Sequence, residues 1–181
     1  MNRIQKTLAL SCLALALVGC ESSTDKVDAG GVLLSISDFD GLPISVSASG
    51  GGGFATIGSL TIQNIAKNTS QPTSSLMNVE LQSLEFTYTR DDAGTRVPPK
   101  LIDYGFGVIP VDGTIDINGQ PFMRPDQFDA QPLRDLALLG RDTETNSTVV
   151  RMRVTMRAFG RTLSGDNVAS APVSFSIDVV P

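Results

Sequence analysis

VELQSLEFTYTR, residues 79–90, decides the reading of the fold. Apolar and polar residues alternate along it, the period-two signature of a strand with one buried face. The alternation changes phase on the way. Val79 and Leu81 hold one parity, whereas Leu84, Phe86 and Tyr88 hold the other. A straight strand cannot put all five on one face, because a slip of one residue turns every later side chain over. One extra residue near Gln82 and Ser83 restores a common face, so the spacing predicts a strand carrying a β-bulge there. Asp91-Asp92-Ala93-Gly94 follows as a turn, being rich in residues that bend the chain.

The segments around this strand repeat its pattern. In TVVRMRVTMRAF, residues 148–159, Val150, Met152, Val154, Met156 and Ala158 face one way, and Arg151, Arg153, Thr155 and Arg157 face the other. Val173, Phe175, Ile177 and Val179 mark a last strand. Upstream, GVLLSISDF at 31–39, LPISVSAS at 42–49 and SLTIQNIA at 59–66 are strand candidates, with Leu42, Ile44, Val46 and Ala48 sharing a face. Residues 101–111 and 113–118 supply two more. Four glycines at 50–53 break the chain between the two opening strands and the rest. One segment has a helical period: in QPLRDLALLG, residues 131–140, Leu133, Leu136 and Leu139 recur before Gly140 as a stop. Short strands at regular intervals predict a mainly β domain. The expected fold is an antiparallel, immunoglobulin-like β-sandwich over residues 31–181, of roughly eight strands with one short crossover helix. The Cys…Trp…Cys signature of antibody domains is missing, so the term describes architecture alone.

The first twenty residues, MNRIQKTLALSCLALALVGC, have a different logic. Arg3 and Lys6 give a positive start, and the apolar run at 7–19 is about 13 residues, short of the roughly 20 needed to span a bilayer. That is the layout of a secretory signal peptide over residues 1–19. Its end, Leu17-Val18-Gly19-Cys20, resembles the lipobox of bacterial lipoproteins: an aliphatic residue, a small residue, then the cysteine. The resemblance implies cleavage before Cys20, with Leu17, Val18 and Gly19 recognised by the signal peptidase, and a covalent lipid on the Cys20 thiol. It implies attachment to the cell envelope through that lipid. Glu21, standing where Asp would favour inner-membrane retention, points to the outer membrane with the domain facing the periplasm. Residues 20–30 then form the lipidated cysteine and a polar tether. The stretches LEFTYTRDDAGTRVP at 84–98 and AFGRTLSGD at 158–166 are also similar to uncharacterised bacterial lipoproteins, a likeness that brings no activity with it.

Composition narrows the chemistry. Without residues 1–19 the chain keeps 12 basic against 19 acidic residues, the wrong balance for neutralising phosphates, so no nucleic-acid partner is expected. Cys12 leaves with the signal and Cys20 is committed to lipid, so the domain has no disulfide. There is no histidine, which removes Ser-His-Asp and Cys-His nucleophiles and imidazole metal ligands. No cofactor beyond the lipid and no metal is expected. Asp38, Asp40 and Gly41, and the group Asp112, Asp116 and Asn118 near Gly119, are oxygen-rich, but neither has the spacing or closing Glu of an EF-hand loop, and both are predicted to be turns. Asp91 and Asp92 are adjacent in a turn, so their carboxyls should diverge rather than act as a pair. The chain is therefore expected to be non-enzymatic. The remaining candidate site is the stripe Arg151, Arg153 and Arg157, with Arg161 as an extension of it: three guanidinium groups suited to an anionic glycan, a lipid phosphate or an acidic partner strand. Against it stands the alternative that carboxylates on a neighbouring strand pair with the stripe. The expected role is a structural or protein-interaction module with an envelope protein as its partner.

Overall fold

The computed structural model describes residues 30–43, 45–49 and 54–181. Leu17, Val18, Gly19, Cys20, most of the tether, Ile44 and the glycine run at 50–53 lie outside the described residues.

Among the described residues nine strands and two short helices follow in order. They are β1 (Val32–Asp40), β2 (Ser45–Ser47), β3 (Ala55–Ala66), β4 (Val79–Arg90), β5 (Leu101–Ile109), β6 (Thr114–Met123), α1 (Pro125–Phe128), α2 (Leu133–Leu139), β7 (Val150–Thr162), β8 (Asn167–Ala169) and β9 (Val173–Val180). They form two sheets. One has the order β1-β3-β6; the other has the order β2-β9-β7-β4-β5, with β8 also on β7. Pairing is antiparallel except between β2 and β9, which run parallel. The inner faces of both sheets contribute to one apolar core, in a sandwich-like arrangement.

The bulge predicted in β4 is present. The register against both neighbours shifts between Leu81 and Ser83. Beyond it Leu84, Phe86 and Tyr88 point inward, on the same side as Val79 and Leu81. Gly160 on β7 sits opposite Leu81 just before the shift. A Cβ there would stand 2.6 Å from Val79 Cγ1 and 2.7 Å from the Glu80 carbonyl oxygen, so only glycine fits without movement. The two sheets are pinned together by aromatic residues. Phe122 of β6 meets Phe175 of β9 edge to face with centroids 5.2 Å apart. The Tyr88 hydroxyl of β4 donates to the Phe122 carbonyl at 2.5 Å, and burial pushes its phenol pKa up. Each apolar side chain buried in this way contributes about 1.5–3 kcal/mol.

Several boundaries differ from those predicted. β6 runs on past Asn118 to Met123, although Gly119 and Pro121 read as breakers. Pro121 costs little because β6 closes one edge of its sheet, where a missing N–H leaves no ladder gap. Between β8 and β9, Ser170 mends an interruption before Pro172. Its N–H donates to the Ala158 carbonyl and its hydroxyl accepts from the Ala158 N–H at 2.9 Å. α2 ends at Gly140, whose φ of 69° is the left-handed cap that glycine favours. Leu133 and Leu136 are buried as expected, but Leu139 is 60% exposed. Six residues at 3.6 per turn carry it about 120° off the buried face.

Candidate functional site

The arginine stripe lies on the outer face of β7, as its alternation required. Arg151 stands directly across from Asp178 on β9. Its Nε and Nη2 donate to the two carboxylate oxygens at 2.7 and 3.0 Å. These bonds and the Asp178 charge raise the Arg151 pKa and lower that of Asp178. Arg153 reaches Asp91 at 3.2 Å, and the Ser176 hydroxyl donates to the same carboxylate. Arg161 Nε donates to the Gly165 carbonyl within its own hairpin. Two of the three predicted arginines are therefore engaged by carboxylates.

Arg157 is not. Its guanidinium lies 5.1 Å from the centroid of the Phe159 ring, and its Nε donates to the Ser170 carbonyl at 3.4 Å. No carboxylate among the described residues forms an ion pair with it. It borders a cleft of about 400 Å³ between β1 and the β8–β9 interruption, where Leu33, Ile65 and Pro172 supply apolar walls.

A second ionic cluster escaped the sequence reading. Arg90 ends β4 with its side chain 2% exposed. Its Nε and Nη2 grip Asp92 at 2.6 and 2.8 Å, and Nη2 also donates to Asp142 at 2.9 Å. Asp142, in the loop between α2 and β7, has a fully buried side chain. Burial pushes its carboxyl pKa up. The Thr145 hydroxyl, Arg90 and the Glu144 N–H outweigh that and bring it to about 2. Burial likewise opposes ionisation of Asp92, yet Arg90 and the N–H groups of Gly94 and Arg151 lower its pKa. Glu144 then accepts from the Thr95 hydroxyl at 2.6 Å and from the backbone N–H groups of Thr95 and Arg96. The cluster clasps the β4–β5 loop to the α2–β7 loop. A signal for it was present: Arg90 continues the inward phase set by Leu84, Phe86 and Tyr88. Asp91 and Asp92 do diverge, one serving Arg153 and the other Arg90.

The larger sheet ends in β2 on one side and in β5 on the other, and β5 pairs with β4 alone. On it Tyr104 is 70% and Val108 50% exposed. Asp103, further along, is bound by Gln120 at 2.9 Å and Arg124 at 2.8 Å, which tie this edge to β6. The oxygen-rich groups are not both turns as predicted: Asp38 and Asp40 lie in β1, Asp116 and Asn118 lie in β6, and only Asp112 stands in a turn. Asp40 accepts from Ser59, Asp116 accepts from Thr61, and Asp112 at φ 57° accepts the Ala66 N–H. Among the described residues no three His, Cys, Asp or Glu side chains are placed to hold a metal ion, and no helix is long and apolar enough to cross a membrane. No family model, curated protein or solved structure matches this chain.

Proposed function

We propose that this chain is a lipid-anchored bacterial envelope protein whose domain is a non-enzymatic, immunoglobulin-like module for binding another protein. The lipobox at Leu17, Val18, Gly19 and Cys20 supports the anchor, with the outer membrane and the periplasmic side as its place. The order β9-β7-β4-β5 supports the immunoglobulin-like reading, because it matches the G-F-C-C′ order of variable-type sheets. The observation that carries the interaction role is the open edge at β5. An unpaired strand edge beside exposed Tyr104 and Val108 is suited to strand addition by a partner.

The test is affinity capture of the lipidated chain from solubilised membranes, run beside a Tyr104→Lys/Val108→Lys variant of unchanged melting temperature. A partner that recurs with the wild type and is lost from the variant supports the role. No recurring partner, or equal capture by both, refutes it. The anchor is tested separately: Cys20→Ser should release the protein from membranes, and continued retention would refute lipid attachment.

Arg157 favours a second reading, an envelope lipoprotein that binds an anionic glycan or lipid through the Arg-lined strand face. A cation without a carboxylate partner, beside an apolar cleft, suits a ligand with an acidic head and an apolar body. Replacing Arg151, Arg153 and Arg157 with Gln should abolish such binding and leave the fold intact. A wild-type protein that binds no anionic glycan or lipid at low salt would remove this reading.

A further inference from the structure

The two ends of the sandwich differ. Gly30, the last residue of the tether and the first described, lies against the end of β7 and the start of β8. A Cβ on it would stand 3.2 Å from Thr162 Cγ2 and 3.3 Å from Val168 Cγ1. The same end carries the β3–β4 loop and the β7–β8 hairpin, because Val79 pairs with Thr162. The opposite end carries the Arg90 cluster, where Arg90 pairs with Met152.

At the tether end two loops are joined into one platform. The Leu163 N–H donates to the Asn78 carbonyl at 2.9 Å, and the Ser164 N–H donates to the Leu76 carbonyl at 3.0 Å. A 3-10 turn over Ser75–Met77, capped by Ser74, fixes the backbone of the first loop. From this platform Leu76 and Leu163 project into solvent, 57% and 50% exposed. The Met77 methyl lies 3.4 Å from where a Cβ on Gly31 would stand, so the platform abuts the point where the tether enters. Exposed leucines scattered singly over a surface are ordinary; two held side by side by backbone bonds at the foot of an anchor are not.

We infer that Leu76 and Leu163 are a membrane-contacting foot, which sets the domain on the lipid surface with the Arg90 end pointing away. The inference rests on the lipid-anchor reading. The chain from Cys20 to Ala29 is ten residues, which reach at most about 36 Å when fully extended. The lipid surface is thus within reach of the domain, and the end nearest the tether is the end that bears the two leucines. Asp112 and Asp166 are near this end and are bound by Ala66 and Ser164. Lys67, whose backbone N–H donates to the Gly31 carbonyl, and Arg161 stand at the same end, so its charges balance and suit a zwitterionic surface. Apolar side chains at the headgroup boundary gain from leaving water, and they turn a flexible attachment into an oriented one.

The chain has no tryptophan, so a single introduced one is a clean reporter. Lipidated full-length Leu163→Trp, Leu76→Trp and Leu138→Trp variants are placed in phosphatidylcholine vesicles, with flotation as the check on anchoring. Leu138, 75% exposed on α2, reports on the far end. The expected result is a blue-shifted emission, quenched by brominated acyl chains, for Leu163→Trp and Leu76→Trp, with Leu138→Trp unshifted and unquenched. Variants that float but show no quenching at Leu163 and Leu76, or quenching at Leu138 instead, overturn the foot and leave the anchor standing. Failure to float overturns the anchor itself, and the foot with it. Two independent reporters at the tether end keep the test decisive if one substitution disturbs its loop.

Discussion

Replacing Arg90 with Met removes the cation and keeps the apolar stem, so the loss falls on the ionic cluster rather than on packing. The Asp142 side chain, fully buried, then has no countercharge. Breaking a buried pair from one side costs about 3–5 kcal/mol. Asp142 keeps the Thr145 hydroxyl and the N–H groups of Thr145 and Glu144. Asp92 keeps the N–H groups of Gly94 and Arg151. These donors hold the loss to the lower end of the range, about 3 kcal/mol. For a domain of this size the melting temperature should fall by roughly 6–12 °C. Urea unfolding of the Cys20→Ser chain, followed by far-ultraviolet circular dichroism, measures the change through the midpoint at constant slope. Adding Asp142→Asn to Arg90→Met removes the stranded charge and should recover about 1 kcal/mol of the loss. A single variant within about 1 kcal/mol of the parent would show that the cluster behaves as a solvated surface pair, and the argument from burial would fail.

Three further outcomes follow from the packing and the titrating groups. Gly160→Ala forces a Cβ to within 2.7 Å of the Glu80 backbone oxygen and should cost about 1–3 kcal/mol, read as a lower urea midpoint; an unchanged midpoint would show that the β4 bulge yields freely. Tyr88→Phe leaves the Phe122 carbonyl without its buried donor and should cost about 1–2 kcal/mol, with a neutral result placing water at that oxygen. Stability should be flat between about pH 5 and 8, because the chain has no histidine to titrate there. Below that range the lowered pKa values of Asp92, Asp103, Asp142 and Asp178 set the sign. The unfolded chain takes up protons first, so their contribution, present above the ordinary carboxyl pKa, is lost as pH falls through about 4 towards the Asp142 value of about 2. A urea midpoint unchanged from pH 7 to pH 3 would contradict this.

The strands legible in the sequence were those with one wet and one dry face. β4 disclosed even its bulge, because an inserted residue is the simplest way to change the phase of a two-residue period and keep one face dry. β7 and β9 were equally plain. What stayed hidden depended on partners remote in sequence. β8 is three residues long and exists only because β7 extends past Phe159 to receive it. The parallel pairing of β2 with β9 joins residues near opposite ends of the chain. Arg157 differs from Arg151 only in what stands across the sheet: Asp178 faces Arg151, whereas the Ser170 interruption lies beside Arg157. The Arg90 cluster joins side chains 52 residues apart, and a charged residue in a buried phase was its sole local trace.

The strand directions also decide how the domain carries load. The described chain enters at the Thr162 end, while Val179 on β9 pairs with Val150 at the other. Tension between Gly30 and Pro181 therefore runs along the strands. The ladder bonds lie across that direction, so β1 on β3, and β2 on β9, are loaded in shear. Their bonds are strained together rather than opened one after another. A pull on the C-terminal end is thus resisted by whole strand pairs before it reaches Gly30.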